Sequence, residues 1–174
     1  MYEPNVVGDW REYEEHAGLR VRVHRLEAAE PPRGRDDAAA GLTYFSVRVT
    51  VENRGARHRG IHLEDGQIDV RVGPDGEGAF IDWRNSQFIE GFDVHPLRRA
   101  TAVVYAAAPE AALTHVDVQV QLRVDDEWAD RRLWAGGIGV TEPTAAAAPA
   151  GTGQGGLAHQ VSVFLKDQAE PGSA

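Results

Sequence analysis

The sequence contains no cysteine. Disulfides, thiol catalysis, zinc–thiolate sites and iron–sulfur clusters are therefore excluded together. Lysine is nearly absent: among the 18 basic residues, only Lys166 is not an arginine, which leaves Schiff-base and other lysine chemistry almost no candidates. No stretch approaches the roughly 18–20 consecutive apolar residues that a membrane-spanning helix needs. The opening "MYEPNVVGDWREYEEHAG" has no basic start, apolar run or small-residue cleavage site, so it does not resemble a secretory signal and the expected location is cytoplasmic. Positive charge is also in deficit. With 27 acids against 18 bases the formal charge is −9, a balance that repels nucleic-acid phosphates.

What the chain does have is alternation. Its 42% hydrophobic fraction is sufficient for a core, and much of it lies at every second position. In "LRVRVHRL", Leu19, Val21 and Val23 share one face, with Arg20, Arg22 and His24 on the other. "FSVRVTVEN" repeats the arrangement with Phe45, Val47, Val49 and Val51, and "HVDVQVQLRV" with Val116, Val118, Val120, Leu122 and Val124. Period-two patterning of this kind marks half-buried antiparallel strands. With "IDVRV", "AFIDW", "TAVVYAA" and "RRLWAGG", it predicts about seven strands separated by Gly-, Pro- and Asp-rich turns. The expected fold class is all-β, an immunoglobulin-like antiparallel β-sandwich.

The expected domain organisation is an N-terminal lead (1–17), the sandwich (18–140), a linker (141–159) and a tail (160–174). "TEPTAAAAPAGTGQGGLAHQ" carries one formal charge and is built mainly from Ala, Gly, Thr and Pro. Such a composition predicts a flexible linker. Beyond it, "QVSVFLKD" (160–167) is strand-like, and Val161, Val163 and Phe164 are candidates for strand addition to this chain, a second copy or another protein.

Four segments carry a family resemblance: "VGDWREYEEHAGLRVRVHRLEA", "YFSVRVTVENRG", "IDVRVGPDGEGAFID" and "HPLRRATAVVYAAAPEAALTHVDVQV". Over residues 7–140 the chain resembles a bacterial family of immunoglobulin-like domains of unknown function, many of them in lipoproteins of Gram-positive organisms. The resemblance implies a binding or assembly module and supplies no catalytic residues. The sequence departs from the family in lacking a lipobox cysteine, in having "HPLRRAT" where a Pro-Gly turn is usual, and in the charged stretch "ARHRGIHLEDG".

That charged stretch lies within "NRGARHRGIHLEDG", residues 53–66, and has two readings. His58, His62, Glu64 and Asp65 are of the types that bind zinc, nickel or iron. Three arginines nearby oppose a dication, and on an extended segment the two histidines stand about 13 Å apart. The preferred expectation is a charged strand connection, with Arg57 and Arg59 facing the acidic segment "DDEWAD" and its Asp125, Asp126 and Trp128. These five residues are the candidate partner contacts, Trp128 as an exposed anchor.

No other chemistry finds a constellation. Asp-Gly in "GPDGEG" is hairpin-turn chemistry rather than a calcium loop, and no serine occupies a Gly-x-Ser-x-Gly elbow. The functional expectation is a non-catalytic module that binds a protein partner or itself, with no cofactor, nucleic acid or membrane. A metal- or carbohydrate-binding site formed by loops at one end of the sandwich is the alternative, and nothing in the sequence specifies a small-molecule ligand.

Overall fold

Alternation in the sequence becomes alternation in burial. The computed structural model describes residues 3–31 and 41–139. Their strands in chain order are β1 (Asn5–Val6), β2 (Trp10–Glu12), β3 (Leu19–Val23), β4 (Glu27–Ala28), β5 (Leu42–Asn53), β6 (Arg59–Leu63), β7 (Ile68–Val72), β8 (Glu77–Gly78), β9 (Phe80–Ile81), β10 (Ile89–Val94), β11 (Arg98–Pro109), β12 (Val116–Val120), β13 (Arg123–Val124), β14 (Glu127–Trp128) and β15 (Arg132–Gly136), with one 3-10 turn at Glu110–Thr114. In β3, Leu19, Val21 and Val23 are buried, and the arginines between them are not.

One sheet has the order β2-β3-β5-β11-β9, with β4 also on β5. Its spine is the antiparallel β5–β11 pair, in register from Asn53 opposite Arg98 to Leu42 opposite Pro109. Opposite it lie β1-β15-β12-β7-β8 and β10-β6-β13-β14. Val21, Val49 and Val104 from the first sheet share one core with Val70, Val118 and Trp134 from the second and Ile61 and Val124 from the third. Sheets packed face to face over a common apolar layer make an all-β sandwich. Trp134 is wholly buried, and its indole N–H donates to the Asp9 carbonyl at 3.3 Å.

The second and third sheets are joined through a bulge. His62 stands opposite Arg123 and Ile68 opposite Val120, so six steps along one strand face three along its neighbour. Gln67 bridges the gap: its side-chain amide donates to the Gln121 carbonyl at 2.7 Å and accepts from the Glu64 N–H at 2.9 Å. A bulge of this kind leaves ladder groups unmatched, and a side chain supplies them here.

Three expectations need revision. The charged connection predicted across 53–66 contains β6, paired with β10 on one side and β13 on the other. Ile61 and Leu63 are fully buried, and that burial outweighs the surrounding charge. In the acidic segment 125–130, Glu127–Trp128 is a short strand rather than a loop. Asp125 and Asp126 alone form the turn, with φ of 50° and 68°, the left-handed pair that a tight two-residue hairpin requires. The N-terminal lead supplies β1 and β2, which pair with β15 and β3. Residues 141–174, including Val161, Val163 and Phe164, lie outside the described residues.

Candidate functional site

Two of the residues expected to make partner contacts, Arg59 and Asp125, are engaged with each other. Arg59 Nη1 lies 2.7 Å from Asp125 Oδ2, and the Gly60 N–H donates to Asp125 Oδ1 at 2.8 Å. Burial opposes ionisation of Asp125, but these donors and the Arg59 charge hold its carboxyl below the usual range. The pair therefore clasps the β13–β14 turn onto β6. Asn53 does comparable work nearby, donating to the Arg57 and Val94 carbonyls at 2.6 and 2.8 Å. Asp126 stands out in solvent, 3.8 Å from Arg123, and Trp128 is 61% exposed on the sheet edge.

The four alternative metal ligands do not converge. His58 packs against the His95 ring, with centroids 6.2 Å apart. His62 contacts Glu64 at 3.0 Å, and Asp65 is exposed in the bulge. Extended β6 separates the two histidines, and no group of three or more His, Asp or Glu able to hold a metal ion occurs among the described residues.

A different surface stands out: the outer face of the sheet containing β2, β3, β5 and β11. Strand register aligns its side chains in rows. One row runs Glu12, Arg20, Glu52, Arg99, and the next Trp10, Arg22, Thr50, Thr101. Arg48 and Ser46 continue the face along β5, and His24 donates its backbone N–H to the Arg48 carbonyl at 2.9 Å. Arg20, Arg22, Arg48 and Arg99 thus share one face of a chain whose formal charge is −9.

Half of this face is internally balanced. Glu52 is largely buried and ion-paired to Arg20, and Arg99 reaches its other oxygen at 2.9 Å. Burial disfavours the Glu52 carboxylate, yet hydrogen bonds from the two arginines hold its carboxyl below the ordinary range. Trp10 lies beneath cations of both halves of the face, with the guanidinium carbons of Arg20, Arg99 and Arg22 4.3, 5.8 and 5.9 Å from its ring centroid. A guanidinium over an indole face contributes about 0.5–1 kcal/mol at exposed sites.

The other half is not balanced. Arg22, His24, Arg25, Glu27, Ser46 and Arg48 surround a concavity of about 170 Å³. Among the described residues, neither Arg22 nor Arg48 has a carboxylate within 4.0 Å, and the Arg22 Nε is buried without an acceptor. His24 bonds Thr50 Oγ1 through Nε2 at 2.8 Å, and Thr50 Oγ1 lies 3.0 Å from Thr101 Oγ1. Burial first, then the Arg22 and Arg48 charges, lower the His24 pKa, with Glu27 opposing. Like charges lining one concavity repel, and an incoming anion relieves that repulsion.

Sequence patterning displays Arg20, Arg22 and His24 as one polar stripe and Arg48 within another. It does not join them. Their adjacency arises from pairing of β3 with β5, and that of Arg99 from pairing of β11 with β5.

No family model matches the sequence, and no curated protein does. In structure the chain is similar to a secreted protein of Mycobacterium tuberculosis, with 17% identity over 77% of this chain and 98% of that one and a TM-score of 0.46. It is also similar to an uncharacterized β-sandwich protein of Clostridium difficile, with 10% identity over 78% and 95% of the two chains and a TM-score of 0.41. A candidate lipoprotein of Bacillus subtilis matches at 9% identity and a TM-score of 0.47 over 68% of this chain, which spans only 36% of that protein's length.

Proposed function

We propose that the chain is a non-catalytic, immunoglobulin-like binding module that receives an acidic segment of a protein partner on the outer face of β2, β3, β5 and β11. Support for the immunoglobulin-like assignment comes from strand order: β3-β5-β11-β9 in one sheet and β7-β12-β15 in the other follow the A-B-E-D and C-F-G arrangement of such sandwiches. Fold alone does not assign function.

The observation that carries the functional reading is the uncompensated charge of Arg22 and Arg48. A chain with nine more acids than bases has ample carboxylates to pair them, yet none lies within ion-pair distance among the described residues. Arginine favours this use, since its planar fork matches carboxylates and loses less freedom than lysine for each bond formed. Trp10 adds a flat, amphipathic surface beside the cations.

The test is fluorescence anisotropy with a labelled glutamate-rich peptide. Arg48→Gln combined with Arg22→Gln weakens binding by about tenfold or more, the loss expected from charged hydrogen bonds. Binding to the unaltered chain falls as salt rises. Arg71→Gln, which alters an arginine already paired to Asp69 on the opposite sheet, leaves it unchanged. Equal binding by all three proteins overturns the proposal.

A further inference from the structure

The open half of the basic face is a small concavity lined by arginine, histidine and serine donors. We propose that the concavity between Arg22, His24, Ser46 and Arg48 is a specific site for a single tetrahedral oxyanion of the phosphate monoester class. This rests on the outer face being the contact surface and names the group that anchors there.

Three observations support the site. The first is size. A volume of about 170 Å³ corresponds to roughly five or six water molecules at about 30 Å³ each. That accommodates one phosphate group with residual water, while pockets for drug-sized ligands begin near 300 Å³. The second is direction. Arg22 and His24 approach from β3 and its exit, and Ser46 and Arg48 from β5. A planar carboxylate satisfies one guanidinium fork, whereas a tetrahedral oxyanion presents three oxygens to donors carried by two adjacent strands on one sheet face. The third is charge. A phosphate monoester carries about −1.5 to −2 at neutral pH, and the lining holds Arg22, Arg25 and Arg48 against the one carboxylate of Glu27, a net excess of positive charge.

His24 ties occupancy to protonation. The charged groups acting on it are Arg22, Arg48 and Arg99, which disfavour its protonation, and Glu27, which favours it. Thr50 holds Nε2 in either tautomer. A bound dianion offsets part of the arginine charge, so the ring gains a proton more readily when the site is filled.

The experiment is a titration of the full-length protein in chloride buffer, followed by ¹⁵N spectra of the arginine Nε–H groups and of the His24 ring. The probes are inorganic phosphate, a phosphoserine peptide, and the same peptide with glutamate at that position. Support requires saturable shifts at Arg22, Arg48 and His24 with either phosphate probe, a His24 pKa that rises on saturation, and loss of at least about tenfold in affinity with Arg48→Gln. Arg48 is exposed on the sheet face, so that variant retains the fold. Arg71→Gln serves as the control for net charge. A phosphopeptide that binds far more tightly than inorganic phosphate identifies a phosphorylated side chain as the source, and equal affinities identify the free ion. Glutamate-peptide binding without a phosphate preference overturns this inference and leaves the acidic-partner reading standing. Absence of binding by all three probes overturns both.

Discussion

Replacing Glu52 with Gln has opposite expected effects on stability and on binding. Glu52 is one-tenth exposed between Arg20, about one-fifth exposed, and Arg99, about three-fifths exposed. Removing one member of a buried pair costs about 3–5 kcal/mol, because the abandoned charge stays desolvated. A pair in solvent is worth only about 0–1 kcal/mol. Arg20 approaches the first case and Arg99 the second, and the amide oxygen of glutamine retains one hydrogen bond. The expected loss is therefore about 2–3 kcal/mol. With a urea dependence of about 1–3 kcal/mol per molar, the unfolding midpoint falls by on the order of 1 M.

The same substitution removes the one largely buried negative charge from the basic face. An acidic peptide then binds about two- to fivefold more tightly at low salt, an advantage that disappears as screening increases. Urea unfolding and peptide anisotropy on one protein preparation measure both effects. A stability change below about 0.5 kcal/mol refutes the internal-balance argument, since it requires that water already satisfies Arg20. Weaker peptide binding refutes the electrostatic argument, because Glu52 then serves to order the contact surface rather than to offset its charge.

Two further outcomes are expected. Stability falls with acidification in two ranges. The lowered His24 pKa means that the unfolded chain binds the proton more readily, so stability is complete above about pH 6.5 and declines below it. Glu52 and Asp125, also lowered, contribute fully above the ordinary carboxylate pKa near 4, and their contribution is lost as pH falls below it. His24→Gln, followed by urea midpoints across pH 3–8, removes the upper decline and retains the lower. At the β13–β14 turn, Asp126→Val costs roughly 1–2 kcal/mol because a β-branched residue is strained at φ 68°. Asp126→Gly is neutral or stabilising by up to about 1 kcal/mol, and thermal unfolding of the two variants distinguishes these signs.

Sequence patterning predicts an element wherever one strand carries enough apolar residues to display its own period. β3, β5, β7 and β12 meet that condition, each with three or more buried aliphatic residues at alternate positions. β6 does not: only Ile61 and Leu63 are buried in "RGIHL", and adjacent glycine and arginine suggest a connection. β10 breaks period two outright, because its register shifts between Ile89 and Phe92, where Gly91 takes a φ of 61°. β1 and β2 are too short to show any period. The basic face is harder still to infer. Each arginine appears in the sequence only as the polar half of its own strand, and the charge density of the face is a property of register between strands distant along the chain.

Register also explains why the basic face carries both a balanced and an unbalanced half. Where β3 and β5 place Arg20 opposite Glu52, and β5 and β11 place Glu52 opposite Arg99, two cations share one carboxylate and the row is nearly self-sufficient. One step along, the partners of Arg22 are Thr50 and then Thr101, which are neutral, Thr50 bonding His24 and Thr101 bonding Thr50. A further step places Arg48 opposite Val103. The face therefore shifts from a charge-paired row to an unpaired one within two residues of strand, about 7 Å. A surface that served stability alone would gain from a carboxylate in place of Thr101 or Val103, because either position lies across the ladder from a side chain in the unpaired half. Placing glutamate at Thr101 should thus stabilise the free protein and weaken its binding to an acidic peptide, the reverse of Glu52→Gln. Together the two substitutions ask whether one electrostatic surface governs both properties.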